Sequence, residues 1–131
     1  ELVRSFEGHS RVLSSVCVTS DGKWMISGSD RTIRKWDIET GECVNELKGH
    51  TGEVLSVSSH NNIVCSGSDD KTVRIWDSNA KVSHESTKEH EGWVDWVQFN
   101  ATGTRLLSKD YDDVFCVWDC QTGECIFKSN D

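Results

Sequence analysis

The sequence of 131 residues contains no proline, only one methionine and one tyrosine, and no excess of positive charge. Without proline it has no proline-rich linker that would divide it. Acidic residues outnumber basic ones by 22 to 14, so the chain lacks the positive charge that neutralises nucleic-acid phosphates or anionic lipid. No apolar run approaches the roughly 18 residues of a membrane span. These absences predict one acidic, soluble domain that binds neither nucleic acid nor membrane directly.

Cofactor and metal signatures are missing as well. The sequence has no Cys-x-x-Cys pair and no glycine-rich phosphate loop followed by a helix. Three of the six cysteines, Cys17, Cys65 and Cys116, lie in apolar strand-like runs, where a reduced thiol packs as a small hydrophobe. We therefore expect buried free thiols, no metal, no cofactor and an intracellular location, cytoplasmic or nuclear.

What the sequence does contain is a pattern repeated three times. Trp-Asp pairs begin at Trp36, Trp76 and Trp118, at intervals of 40 and 42 residues. A histidine precedes each pair by 26 to 28 residues: His9, His50 and His90. A period of this length is typical of stacked supersecondary units that cannot bury their apolar faces alone.

Within each period the apolar residues alternate with a spacing of two, which predicts β-strands. The first unit has strands at 12–18, 24–27 and 32–36, the second at 54–57, 63–66 and 72–76, and the third at 94–99, 105–108 and 114–118. A fourth strand follows each Trp-Asp pair, and its version at 82–86 is nearly all polar. The sequence predicts an all-β fold built from four-stranded antiparallel units.

The run Gly-His, Ser-Gly-Ser-Asp and Thr-Ile/Val-Arg-x-Trp-Asp, recurring about every 40 residues, resembles the WD-repeat family of β-propellers. The resemblance covers the whole chain and is strongest over residues 66–77. It implies antiparallel blades set radially around a channel. We predict an orphan outer strand at 1–7, since this segment aligns with 42–48, and blades at 8–48, 49–88 and 89–131.

Three blades are too few to close a ring, because propellers have four to eight. Two interpretations stay open. The chain is part of a longer propeller, or it is a short protein that completes a ring by self-association.

The family also implies a buried relay of Asp, His, Ser and Trp in each blade. Counting six residues back from each tryptophan for the aspartate, the predicted relays are Asp30, His9, Ser27 and Trp36; Asp70, His50, Ser66 and Trp76; and Asp112, His90, Ser108 and Trp118. Such a relay satisfies the hydrogen bonding of every buried polar group in it.

Serine, histidine and aspartate within one unit also suggest a serine hydrolase. Three copies argue against that function, because an active site needs a single nucleophile and a single oxyanion hole. We expect a protein that is not an enzyme.

The remaining function is the binding of proteins or peptides. In propellers of this kind, the turns before the first strand and between the second and third strands lie on one face. The candidate partner-binding residues there are Arg11, Ser29, Arg31, Glu53, Asp69, Lys71, Trp93 and Tyr111. Tryptophan, tyrosine and arginine dominate interface energies, so Trp93 and Tyr111 are predicted to form an aromatic anchor, unless Trp93 packs against the neighbouring blade instead. Trp96 is predicted to be core.

The expected function is thus an interaction scaffold or adaptor. A narrower alternative is a substrate receptor that binds phosphorylated peptides through Arg11, Arg31 and Lys71.

Overall fold

The computed structural model describes residues 5–8, 13–78, 85–87 and 90–129, the segment 85–87 by its backbone only. This part of the chain forms twelve strands in three antiparallel sheets. Blade 1 consists of β1 (Ser15–Val18), β2 (Trp24–Gly28), β3 (Thr32–Asp37) and β4 (Cys43–Lys48). Blade 2 consists of β5 (Val54–His60), β6 (Ile63–Ser68), β7 (Val73–Asp77) and β8 (Glu85–Thr87). Blade 3 consists of β9 (Val94–Phe99), β10 (Arg105–Asp110), β11 (Phe115–Asp119) and β12 (Cys125–Lys128).

In every sheet the strands lie side by side in chain order. The prediction of an all-β fold with four-stranded antiparallel blades is therefore confirmed. The first strand, β1, is shorter than predicted and begins at Ser15. Strand β5 is longer than predicted and ends at His60, so the turn between β5 and β6 consists only of Asn61 and Asn62. Residues 5–7 of the predicted orphan strand are not in a strand, and residues 1–4 lie outside the described part.

The aspartate of the Trp-Asp pair forms the turn into the fourth strand. The Oδ1 of Asp37 accepts backbone N–H bonds from Glu39 and Thr40 at 2.9 and 3.2 Å. Asp119 does the same for Gln121 and Thr122 at 2.8 and 3.1 Å. An aspartate that binds backbone groups two and three residues ahead is a local turn-forming device. This explains why the Trp-Asp pair recurs.

The core lies between the blades, where the face of one sheet packs on the face of the next. Between blades 1 and 2 it contains Ile26, Ile33, Leu47, Val54, Val57, Val64 and Trp76. Between blades 2 and 3 it contains Cys65, Val73, Ile75, Val94, Val97, Phe99, Leu106, Cys116 and Trp118. Because each blade buries its apolar surface only against a neighbour, the stability of the chain depends on these contacts.

The six cysteines are all free thiols. Cys65 and Cys116 are fully buried, and Cys17 is half-buried. Burial raises the pKa of the Cys65 thiol well above its ordinary value and also raises that of Cys17. These three side chains pack as hydrophobes, as the sequence predicts.

One core prediction is wrong. Trp96, predicted to be buried, keeps 37% of its surface exposed. It lies on the face of blade 3 that points away from blade 2, where no other described element covers it. Alternation along a strand identifies the two faces of a sheet but does not tell which face has a neighbour.

Candidate functional site: buried relays and the loop face above them

In blade 2 the relay contains all four predicted residues. The Nδ1 of His50 lies 2.8 Å from Oδ2 of Asp70, and its Nε2 lies 2.6 Å from Oγ of Ser66. The same Oγ accepts the indole N–H of Trp76 at 2.8 Å. In the tautomer that fits this network, Nδ1–H donates to Asp70 and Nε2 accepts the Ser66 hydroxyl.

Asp70 joins this relay to the backbone of the loop face. It accepts the backbone N–H groups of Thr51 and Thr72 at 3.0 and 2.9 Å. Burial alone would raise the pKa of Asp70, but the hydrogen bonds from His50 and Thr72 outweigh it and hold the pKa far below its ordinary value. The carboxylate is therefore ionised at neutral pH and fixes two turns relative to each other.

The relay of blade 3 corrects the prediction. The residue paired with His90 is Asp110, with Nδ1 to Oδ2 at 2.9 Å, and not Asp112, which is exposed. Ser108 completes the relay, with its Oγ 2.7 Å from Nε2 of His90 and 2.8 Å from Nε1 of Trp118. The backbone N–H of Asp112 donates to Asp110 at 2.9 Å.

Counting back from Trp118 failed because the relay carboxylate comes from a different position in the hairpin. Ser108 and Trp118 are ten residues apart, as are Ser66 and Trp76, but Asp110 lies two residues after its serine whereas Asp70 lies four after its own. Counting forward from histidine would have succeeded, since Asp70 and Asp110 each lie 20 residues after their histidine. The two separations are equal because two differences compensate: the turn between β9 and β10 places His90 18 residues before Ser108, against 16 from His50 to Ser66, and Asp110 comes two residues sooner after its serine.

In blade 1 the described part of the relay is the bond from Trp36 Nε1 to Ser27 Oγ at 2.7 Å. Asp30 is half-buried. His9 lies outside the described residues, so the predicted relay of blade 1 is only partly described.

The relays are closed to a substrate. Ser66 and Ser108 have no exposed surface, and both hydroxyls already bind an indole and an imidazole. A nucleophilic serine needs an open path to a carbonyl carbon. The geometry therefore matches hydrogen-bonded packing inside a blade. Among the described residues, no group of three or more His, Cys, Asp or Glu side chains is placed to hold a metal ion.

The candidate partner-binding residues differ in how far their side chains are exposed to solvent. Arg31, Glu53 and Lys71 are exposed, and Asp69 is half-buried. Ser29 is only 2% exposed and so cannot contact a partner, which corrects its prediction. The backbone carbonyl of Ser29 instead binds the N–H of Val54 in the next blade. Arg11 lies outside the described residues.

Trp93 and Tyr111 are brought together on blade 3. Their ring centroids lie 5.8 Å apart, and the backbone N–H of Tyr111 donates to the carbonyl of Trp93 at 2.8 Å. Trp93 is 54% and Tyr111 70% exposed. The pair is thus an exposed aromatic surface on a fixed backbone.

Three carboxylates lie next to this pair, among them Asp112, which was predicted to belong to the relay. Glu91, Asp112 and Asp113 are exposed in the two turns that carry the aromatic rings. The carboxylate of Asp112 lies close to the turn that contains Gly92. A Cβ added at Gly92 would be 3.1 Å from Oδ2 of Asp112. The exposed rings therefore have acidic groups on both flanking turns.

Three four-stranded antiparallel blades, of which blades 2 and 3 show a complete buried Asp-His-Ser-Trp relay, define a β-propeller repeat protein. The profile of the family described as WD domain, G-beta repeat matches residues 1–37 and 41–77. The chain belongs to this WD40 repeat family.

Relatives with curated descriptions agree with this assignment. The chain is 33% identical over 118 residues to Pre-mRNA-processing factor 19 of Mus musculus, covering 88% of this chain and 23% of that protein. It is 31% identical over 125 residues to the Guanine nucleotide-binding protein subunit beta-like protein of Encephalitozoon cuniculi (89% and 37%). It is 30% identical over 125 residues to the Ribosome biogenesis protein WDR12 homolog of Ixodes scapularis (92% and 29%). The chain thus spans only about a quarter to two fifths of these relatives.

Solved structures share the fold. The structure of U3-55K superposes with a TM-score of 0.91 at 22% identity, covering 98% of this chain and 42% of that one. The crystal structure of RRP9 WD40 repeats superposes equally well at 22% identity, with coverage of 98% and 41%. At this identity the likeness concerns the fold alone, and it fits a partial propeller.

Proposed function

We propose that this chain is a non-enzymatic interaction scaffold, and that blade 3 binds a basic segment of a protein partner on its loop face. The observation that carries the proposal is the exposed Trp93–Tyr111 pair. Large aromatic side chains that remain exposed on a rigid frame are typical anchors of protein interfaces.

The charge around the pair selects the partner. Glu91 and Asp112 flank the rings, Asp113 in the same turn pairs with Lys109, and the chain carries a net charge of −8. Arginine and lysine bind the faces of tryptophan and tyrosine by cation–π attraction, and nearby carboxylates strengthen that attraction. A phosphorylated peptide would meet like charge at this surface.

The backbone beneath the pair is held in place before any partner binds. Tyr111 directly follows Asp110, which is fixed by His90 and by the backbone N–H groups of Asp112 and Val114. Because the loop is already ordered, a partner does not have to supply the free energy of ordering it. The relay thus contributes to binding indirectly.

The test is fluorescence anisotropy with a labelled arginine- and lysine-rich peptide. Tyr111→Ala and Trp93→Ala should each weaken binding by about tenfold, a typical cost for an interface anchor. Tyr111→Phe, which keeps the ring, should bind nearly as tightly as the wild type. Trp96→Ala removes an exposed aromatic ring from a different face of the same blade and is the matched control. Equal affinity of the wild type and both alanine variants would reject the proposal.

The phosphopeptide alternative predicts the opposite preference. A phosphorylated peptide of the same length should then bind more tightly than the basic one, and Arg11→Glu combined with Arg31→Glu should abolish that binding. Arg31 and Lys71 are exposed, but each follows an aspartate in its turn, Asp30 and Asp70. The described surface therefore favours the basic peptide.

The names of two relatives refer to pre-mRNA processing and ribosome biogenesis, which favours the nucleus over the cytoplasm as the place of action. In the described residues, no helix is long and apolar enough to cross a membrane. Imaging of the tagged full-length protein tests the location, and exclusion from the nucleus would contradict it.

A further inference from the structure

In both contacts between neighbouring blades, a pair of small residues on one blade makes room for a valine of the next. In blade 1 Ser15 pairs across the sheet with Gly28, and in blade 2 Ser56 pairs with Gly67. Both pairs lie on the face that contacts the following blade. A Cβ at Gly28 would lie 2.7 Å from Cγ1 of Val54, and a Cβ at Gly67 would lie 2.5 Å from Cγ1 of Val94. Glycine at this position therefore makes room for a valine of the next blade.

The serine of each pair serves the same contact. Ser15 Oγ accepts the backbone N–H of Val57 at 3.1 Å, and Ser56 Oγ accepts that of Val97 at 3.2 Å. Each hydroxyl thus satisfies a backbone N–H of the following blade at the centre of the interface. We call such a pair, Ser15 with Gly28 or Ser56 with Gly67, the seat on which the next blade packs.

Blade 3 does not have this seat. At the same register position Trp96 pairs with Lys109. Lys109 is held by Asp95 and Asp113, with Nζ–Oδ1 distances of 3.2 and 3.1 Å. Asp95, Trp96, Lys109 and Phe115 line a shallow groove in this region. A large ring and a paired cation occupy the space that Ser56 and Gly67 leave open in blade 2.

Apart from the exposed Gln98 on β9, the strands beyond Lys109 carry apolar side chains on this face. Phe115 and Phe127, on the two strands beyond Lys109, are 39% and 58% exposed. The corresponding residue to Phe115 in blade 2 is Val73, which is 1% exposed. The face therefore has the apolar area of a blade contact without the shape that the other two contacts share.

The opposite end of the chain has the ordinary shape. Leu13 and Val16 of blade 1 hold the positions of Val54 and Val57, yet they are 48% and 52% exposed, whereas Val54 and Val57 are 0% and 6% exposed. Blade 1 can therefore follow a blade that carries a serine–glycine seat. It cannot follow blade 3 in the same geometry, because Leu13 would collide with Lys109.

We infer that Trp96 and Lys109 determine what blade 3 accepts. They exclude a blade of the kind formed by blades 1, 2 and 3, including blade 1 of a second copy. They admit a sheet with small residues, such as alanine or glycine, at the positions of Val54 and Val57. The inference goes beyond the proposed function, since it concerns a different face of blade 3. Of the two ways to complete a ring, it favours blades of another sequence over self-association of this chain.

The experiment converts the blade 3 position into a seat. The double variant W96S/K109G should self-associate head to tail, with a dissociation constant about tenfold or more below that of the wild type in sedimentation velocity. Adding L13D and V16D to that variant should abolish the gain, because they place charge on the surface that would dock. The control W96F/K109R keeps the bulk and should behave like the wild type.

A second measurement supplies the small residues from the other side. The variant L13A/V16A, with Trp96 and Lys109 intact, should associate more tightly than the wild type despite its smaller apolar surface. Circular dichroism verifies that each variant is folded. If the wild type already associates and loses this association with L13D/V16D, the inference is overturned. It is equally overturned if neither folded W96S/K109G nor folded L13A/V16A gains association.

Discussion

The Nδ1 of His90 lies 2.9 Å from Oδ2 of Asp110, and the two residues are 20 positions apart, as are His50 and Asp70. Asp110 ends β10, so its carboxylate enters the blade instead of the solvent. It also accepts the backbone N–H groups of Asp112 and Val114. The relay and the loop face above it therefore share one carboxylate.

Asp110→Ala should lower the free energy of unfolding by about 2–4 kcal/mol, because it leaves an imidazole N–H and two backbone N–H groups without their acceptor. Asp112→Ala should change it by less than about 0.5 kcal/mol, since that side chain is exposed. Urea denaturation measures both. Equal losses for the two variants would show that Asp110 is not the relay residue.

The relay carboxylates predict acid sensitivity. The pKa values of Asp70 and Asp110 are held below the ordinary value of 3.8, against the effect of burial, by hydrogen bonds headed by those from His50 and His90. The folded chain thus binds protons more weakly than the unfolded chain. Their stabilisation is complete above the unfolded pKa and is lost as pH falls towards the folded values.

The urea concentration at the unfolding midpoint should accordingly decrease as the pH is lowered from about 5 to about 2. Asp70→Asn should be less stable than the wild type at pH 7 but should lose less stability over the same interval. An Asp21→Asn variant, which removes an exposed carboxylate outside the relays, provides a comparison. A wild-type midpoint that does not change with pH would contradict the assignment of ionised relay carboxylates.

The close contact between blades 1 and 2 predicts that the stability effects of substitutions at Gly28 and Val54 are coupled through side-chain size. Gly28→Ala should destabilise the chain by about 1–3 kcal/mol, because the added methyl group overlaps Cγ1 of Val54. Val54→Ala removes that group, so the double variant should lose less stability than the sum of the two single variants. A double-mutant cycle measures this coupling, and strictly additive losses would show that the close approach can relax without cost.

The buried side chain of Lys35 predicts that the stability of the chain changes at high pH. It is only 5% exposed, donates to Ser78 Oγ at 3.3 Å and lies 4.4 Å from the centroid of the Trp24 ring. Burial lowers the pKa of Lys35 below its ordinary value of 10.5. Between the folded and unfolded values the unfolded chain binds more protons, so stability should rise with pH in the range just below 10.5.

Lys35→Met should remove this rise, while Lys23→Met, an exposed lysine on the same blade, should keep it. Thermal denaturation at pH 7, 8, 9 and 10 measures both variants. An identical pH dependence for wild type and Lys35→Met would show that Lys35 is not the group responsible.

The sequence alone determined the blades. Alternating apolar residues, the recurrent Trp-Asp pairs and their histidines predicted twelve of the strand positions and the relay of blade 2, because each of these depends on contacts within one repeat. Turn chemistry is also local, which is why the aspartates of the Trp-Asp pairs recur where a turn must form.

The tertiary structure decided what depends on neighbours. It placed Asp110 rather than Asp112 beside His90, since Asp110 stands at the end of β10, where blade 2 has Ser68, and reaches the histidine from there. It buried Ser29 and exposed Trp96, since only the packing of one blade on the next tells which face is covered. The fit of Gly28 against Val54 depends on how two sheets pack, because the two residues belong to different blades and alternation along one strand does not report such a contact.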